Sequence, residues 1–201
     1  MKNRLLLALM AAAIAILAVS GCGKKDPAPD PDTNTPGGGF TELSTLYTEP
    51  VTTWKISRDE LVSRLGPPDA EQRSTQDPTM LGIGYMYNDP VCRSASYTLS
   101  DIFGLYIASL QIVTNDVSKI DTFLKQRYTR YYNLTGSALA YYGDNTNYLN
   151  AKTFIYYIAQ NNYYRVYYAD RDRITITSNA PSRGSDGQQY TVEIPDLVEP
   201  Y

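Results

Sequence analysis

Lys152-Thr-Phe-Ile-Tyr-Tyr-Ile-Ala159, Gln160-Asn161-Asn162 and Tyr163-Tyr-Arg-Val-Tyr-Tyr-Ala169 read as strand, tight turn and strand. Aromatic and β-branched residues favour extended backbone, and asparagine tolerates the positive φ of a short hairpin turn. Neighbouring side chains of a strand point to opposite faces, so each Tyr-Tyr pair sends one ring to either side of a sheet. The chain holds 19 tyrosines, and twelve of them lie between Tyr128 and Tyr168. Helices packed on one face would leave the other open. Tyr157, Tyr163 and Tyr167, or the alternate set Tyr156, Tyr164 and Tyr168, are then expected to cover it. Tyrosine offers large contact area and a polar tip at low entropic cost, which suits a recognition surface for a protein or a sugar ring. The same rings also stabilise a sheet simply as cross-strand pairs.

Upstream, Ser57-Arg-Asp-Glu60 forms a capping box, with Ile56 and Leu61 placed as a hydrophobic staple. Gly66 permits the left-handed turn that ends a helix, and Pro67-Pro68 prevents its resumption. Strand-like runs follow at residues 81–87, 94–99 and 103–113. In the third, Leu105, Ile107, Ser109 and Gln111 alternate with Tyr106, Ala108, Leu110 and Ile112. A second helix is predicted from Asp116 to about Tyr131, because Ile120, Phe123, Leu124, Tyr128 and Tyr131 recur at three- and four-residue steps. Further strand-like runs lie at 137–142, 152–159, 163–169, 174–177 and 190–194. This order predicts an α+β fold over residues 53–178: two tandem helix-plus-three-strand units, 54–113 and 114–177, forming one antiparallel sheet with the helices on one face. Residues 179–201 read as a polar C-terminal tail.

The string Trp54-Lys-Ile-Ser-Arg-Asp-Glu-Leu-Val-Ser-Arg-Leu-Gly-Pro-Pro-Asp69, followed by a Tyr-containing strand, resembles the small outer-membrane lipoproteins of the SmpA/OmlA type. Two such units in tandem are similar to the β-lactamase inhibitor protein fold. The resemblance implies assembly factors or inhibitors that bind proteins, without catalysis. The second unit lacks the Gly-Pro helix ending.

At the N-terminus, Lys2 and Arg4 precede an apolar run of 15 residues, Leu5 to Val19, too short for a comfortable bilayer span of about 20 residues. It ends in Val19-Ser20-Gly21-Cys22, which resembles the lipobox of bacterial lipoproteins. The expectation is a signal peptide over residues 1–21, removed to leave Cys22 as a lipidated N-terminus. Gly23 stands where an aspartate would resemble the inner-membrane retention signal, which favours an outer-membrane lipid anchor, on its periplasmic or surface-exposed side. Residues 22–52 carry this cysteine and a Pro/Gly-rich tether. Its Pro27, Pro29, Pro31, Pro36 and Gly37-Gly38-Gly39 describe a flexible spacer with a reach of roughly 30 Å.

Loss of Lys2 and Arg4 with the leader takes the formal net charge from −3 to −5. An acidic chain without a basic cluster is not expected to bind nucleic acid. Histidine is absent, which removes the usual general base and the commonest metal ligand. Cys22 and Cys92 are the only cysteines. Lipidation of Cys22 leaves Cys92 alone, expected as a small buried thiol with no basic partner. No carboxylate pair is spaced to suggest glycoside hydrolysis, and no cofactor or metal is expected. The expected function is therefore that of a membrane-anchored, non-catalytic lipoprotein. It would bind another envelope or extracellular protein through Tyr156, Tyr157, Tyr163, Tyr164, Tyr167 and Tyr168. The alternative is a glycan-binding accessory lipoprotein using the same aromatic face.

Cys22→Ser is expected to move the protein out of the detergent-extractable membrane fraction. Fractionation and immunoblotting check this, and a variant that stays membrane-bound at precursor size would refute the lipobox reading.

Overall fold

The predicted hairpin is present as two central strands, Thr153–Ala159 and Tyr164–Asp170, closed by a turn in which the Gln160 amide donates to the Tyr163 carbonyl at 2.8 Å. The structure, a computed structural model, describes residues 46–179, 188–195 and 197–200. The expected signal peptide (residues 1–21), Cys22 and most of the expected tether lie outside the described residues.

In chain order the described elements are α1 (Arg58–Leu65), β1 (Ala70–Arg73), β2 (Met80–Met86), β3 (Cys92–Ser100), β4 (Gly104–Ile112), α2 (Val117–Lys125), β5 (Thr129–Tyr131), β6 (Leu134–Thr135), β7 (Ala140–Gly143), β8 (Thr153–Ala159), β9 (Tyr164–Asp170), β10 (Thr175–Ser178) and β11 (Tyr190–Glu193). Eight strands form one antiparallel sheet in the order β1-β2-β3-β4-β9-β8-β7-β5, and a second sheet has the order β10-β11-β6. The predicted pair of helix-plus-three-strand units is therefore corrected. The protein is mostly β, with two short helices and two sheets, because three stretches behave differently from their local pattern.

The first is β1. Its Ala-Glu-Gln-Arg sequence shows no apolar alternation, yet it pairs with β2 from Ala70↔Gly84 to Arg73↔Leu81. Its exposed charges suit an edge strand, where they discourage further pairing. The second is the end of α2, which stops at Lys125 instead of Tyr131. The tyrosines at 128 and 131 continue the helical spacing, but Thr129-Arg130-Tyr131 forms β5 on the opposite sheet edge. The third is the C-terminal tail: its run at 190–194 forms a strand as expected, β11, but it joins a second sheet that the tandem arrangement did not include. This strand pairs with β10 antiparallel and with β6 in parallel.

α1 forms for the expected reason: the Ser57 hydroxyl accepts from the Glu60 amide at 3.2 Å, and Gly66 closes the helix at φ +86°. Glu60 does not reach back to complete the box, since its carboxylate accepts from Arg64 at 2.6 Å. Leu61 of α1 and Ile120, Phe123 and Leu124 of α2 pack on one face of the large sheet, against Ile83, Tyr97, Ala108, Tyr168, Ile155 and Tyr142.

The other face is best seen along one register row: Gly84, Ser96, Ser109, Tyr167, Tyr156, Tyr141 and Tyr131. The row changes from small residues to tyrosines between β4 and β9. Over its tyrosine half lie Leu134, Ile176 and Val192 of the second sheet. Over its small half lies the C-terminal segment, held where the Val198 amide donates to Thr98 Oγ1 at 3.4 Å and where buried Arg165 donates to Glu199 Oε2 at 3.2 Å. A bulge at Thr98/Leu99 adds Tyr106 to β4, so Tyr106 and Ile107 both face this second core. The simple alternation expected through residues 105–112 is corrected accordingly.

An ideal Cβ on Gly82 would lie 2.4 Å from the Val198 carbonyl oxygen. Gly82→Val is expected to unseat residues 197–200 and to lower stability by about 1–3 kcal/mol. Urea unfolding and carboxypeptidase digestion check this: an unchanged midpoint and an unchanged digestion rate would show that the segment is not seated on β2.

Candidate functional site

The six tyrosines expected to form a recognition face are not one surface. Tyr156 and Tyr167 sit on the face covered by the second sheet, stacked at 4.7 Å between ring centroids. Tyr157 and Tyr168 sit on the helix face. All four are buried, Tyr156 at 0% exposure. Tyr163 and Tyr164 are half-buried at the hairpin end, where Tyr164 meets the Tyr157 ring edge-on at 6.4 Å. The expected open sheet side is thus corrected: β6, β11 and β10 close it, so the four buried rings are inaccessible to a protein partner and to a sugar ring alike.

The buried phenols stay neutral, and two of them, Tyr157 and Tyr168, donate hydrogen bonds to carboxylates. Burial pushes Tyr157 and Tyr167 up to about 12, and Tyr156 and Tyr168 higher still. On α2, Asp121 accepts from Tyr142 and, at 3.4 Å, from Tyr157, and it pairs with Lys125 and Arg130. Its burial favours the neutral acid, but Lys125 and Tyr142 outweigh this and hold the carboxyl below its ordinary range. Near the start of the described chain, Tyr168 donates to Glu49 at 3.2 Å and shares a 3.0 Å hydrogen bond with Tyr47. These contacts tie the 46–51 segment and α2 to the sheet.

Two features that sequence reasoning did not single out are shaped for recognition. The first is the β3–β4 turn, Asp101-Ile-Phe-Gly104. Ile102 is 73% exposed and Phe103 44% exposed, and both border an open groove of about 600 Å³ floored by Leu81 and Leu99 and walled by Lys55, Arg58 and Asp101. The turn is braced on three sides. Arg73 forks onto Asp101 at 2.9 and 3.2 Å, the Arg173 guanidinium lies 4.0 Å over the Phe103 ring, and the Lys55 amide donates to the Leu105 carbonyl at 2.8 Å. Gly104 has φ +68°, and a Cβ there would lie 2.5 Å from the Lys55 carbonyl oxygen. Glycine is needed both for the conformation and for the approach. The available signal was two large apolar residues between turn-forming Asp101 and Gly104.

The second feature is a half-open cavity of about 340 Å³ under residues 47–51, with Tyr47, Glu49, Tyr87, Asp89, Cys92 and Tyr97 in its wall. Cys92 is buried, as expected, and desolvation pushes its thiol up to about 11, so it is a neutral apolar wall group at neutral pH. Among the described residues no three Cys, Asp or Glu side chains converge as metal ligands would.

The chain matches no family model, no curated protein and no solved structure.

The tyrosine belt yields a direct check. The Tyr156 hydroxyl is buried without a hydrogen-bond partner among the described residues. Tyr156→Phe is expected to be neutral or stabilising, because it removes an unpaired polar group. Tyr156→Ala is expected to cost about 3–5 kcal/mol as a vacated aromatic site. Chemical denaturation of both variants measures this; a Phe variant that is as damaged as the Ala variant would show that the hydroxyl, not the ring, matters.

Proposed function

We propose that this protein is a lipid-anchored, non-catalytic binding protein of the bacterial outer membrane, and that it engages another envelope or extracellular protein through the Ile102–Phe103 turn. The observation that carries this reading is an exposed aliphatic–aromatic pair on a braced turn. Most exposed apolar side chains are isolated and carry no meaning. Here two adjacent ones are held in place by an ion pair, a cation–π contact and backbone pairing, beside a groove with an apolar floor. A fixed apolar anchor loses little entropy on docking, and a central apolar anchor within a charged rim is the usual anatomy of an interface hot spot. Lys55, Arg58 and Asp101 supply that rim with both signs of charge. The N-terminal lipobox-like string supports placement at the membrane, and the spacer after it supports a domain free to meet a partner.

Ile102→Asp is expected to reduce recovery of the partner in a crosslinking pull-down from intact cells at least tenfold, with the thermal midpoint unchanged. Tyr132→Ser, at another exposed aromatic, is expected to leave recovery intact. Equal recovery with Ile102→Asp would refute the turn as the docking site.

A further inference from the structure

The cavity beneath residues 47–51 has a composition that the docking turn does not explain, and it shares no lining residue with the turn's groove. At about 340 Å³ it lies at the small end of ligand-site volumes, roughly 300–1,000 Å³. Three tyrosines, 47, 87 and 97, contribute to the wall. Tyr47 is fixed by a tilted ring contact with Phe123, 4.2 Å between centroids, and by its bond to Tyr168. Tyr97 is fixed by its edge-on contact with Tyr85 at 5.8 Å and by the Val51 amide, which donates to its hydroxyl at 3.4 Å. Tyr87 is 39% exposed and stands at the open side.

Two carboxylates, Glu49 and Asp89, join these rings, and no Lys or Arg is among the lining residues. Glu49 is half-buried and oriented by Tyr168. One Asp89 oxygen accepts from the Val91 and Cys92 amides, each at 2.7 Å, which fixes the side chain and leaves its second oxygen for other contacts. The electron-rich faces of aromatic rings attract cations, and desolvation at a concave site strengthens the attraction. Rings and acids select positive charge, Glu49 more than Asp89, whose charge Arg93 partly offsets, while the apolar wall of Leu65, Leu110 and Cys92 selects a hydrocarbon body.

We infer that this cavity binds a small organic cation, an alkylammonium with an apolar body, held by the rings of Tyr47, Tyr87 and Tyr97 and by the Glu49 carboxylate. An inorganic cation does not suit the site, because hard ions demand several converging oxygens and the wall supplies mostly carbon. An anion is disfavoured by both carboxylates.

Isothermal titration calorimetry of the purified full chain with choline, and with its uncharged carbon isostere neohexyl alcohol, tests the inference. Choline is expected to bind at least tenfold more tightly than the alcohol. Glu49→Gln and Tyr87→Leu are each expected to weaken choline binding about five- to tenfold, and Ile102→Asp is expected to leave it unchanged. Because Glu49 also bonds Tyr168 and Tyr128, and Tyr87 also bonds Tyr97, the two variants are read together and each beside its urea-unfolding midpoint. Equal binding of both probes, binding of neither, or choline binding unchanged in both cavity variants would overturn the inference. Loss of partner recovery in Ile102→Asp bears only on the docking turn.

Discussion

The pairing of β4 with β9, from Ile107↔Ala169 to Ile112↔Tyr164, is the contact on which the rest of the structure depends. Without it the chain would be two four-stranded pieces, each with an exposed interior edge. β4 and β9 are almost wholly buried, so their ladder hydrogen bonds are shielded from water, and their side chains enter both cores at once. Connectivity makes this junction non-local: β4 ends at Ile112 and β9 begins at Tyr164, with α2 and four strands between them. Its loop-closure cost must be met by burial on both faces.

Burial is obtained differently on the two halves of the second face. Along the row from Gly84 to Tyr131, the residues on β2–β4 are small, and an extended backbone segment can lie directly on them. Those on β9, β8, β7 and β5 are tyrosines, whose rings hold the covering sheet at a distance that only interlocking side chains fill. The single step from Ser109 to Tyr167 thus decides where a strand-built cover sits and where a strap sits. It also accounts for the abundance of tyrosine. Rings stacked as Tyr156 on Tyr167, or tilted as Tyr141 on Tyr156, build a core from cross-strand pairs instead of presenting a surface.

The hairpin of β8 and β9, the capped α1 and the strand character of β2 to β4 were legible because each has a local signature: alternation, a turn residue or a cap. The runs that become β10 and β11 were legible too, but their assembly with β6 into a cover was not. β6 is two residues long and pairs with a strand more than fifty residues away, so no period marks it. β1 is polar because it is an edge, and its place follows from β2, not from its own side chains. The three-residue step from Tyr128 to Tyr131 fits one face of a helix, but once the chain is extended it sends the rings to opposite sheet faces, Tyr128 to the helix-side core and Tyr131 to the second core. Whether a sheet face is open is a property of what packs on it, and twelve tyrosines carry no local record of that. The Ile102–Phe103 turn was half legible, since these residues occupy positions where polar residues are usual.

The segment from Tyr47 to Ser57 binds these observations together. Its first half roofs the cavity with Tyr47 and Glu49, seated by hydrogen bonds to Tyr168 and by Tyr97 on β3. Its second half braces the docking turn. Lys55 pairs with Leu105 and with Asp172, and the Ile56 carbonyl accepts from the Leu105 amide. Trp54, between the halves, donates to Thr153 of β8 at 3.0 Å and so fixes the segment to the far half of the sheet. Lys55 adopts φ +68°, a left-handed turn that a lysine keeps only where neighbouring contacts hold it. One short stretch of irregular backbone therefore shapes the tyrosine-lined cavity on one side and the exposed Ile102–Phe103 tip on the other, and both geometries follow from how it is seated on the sheet.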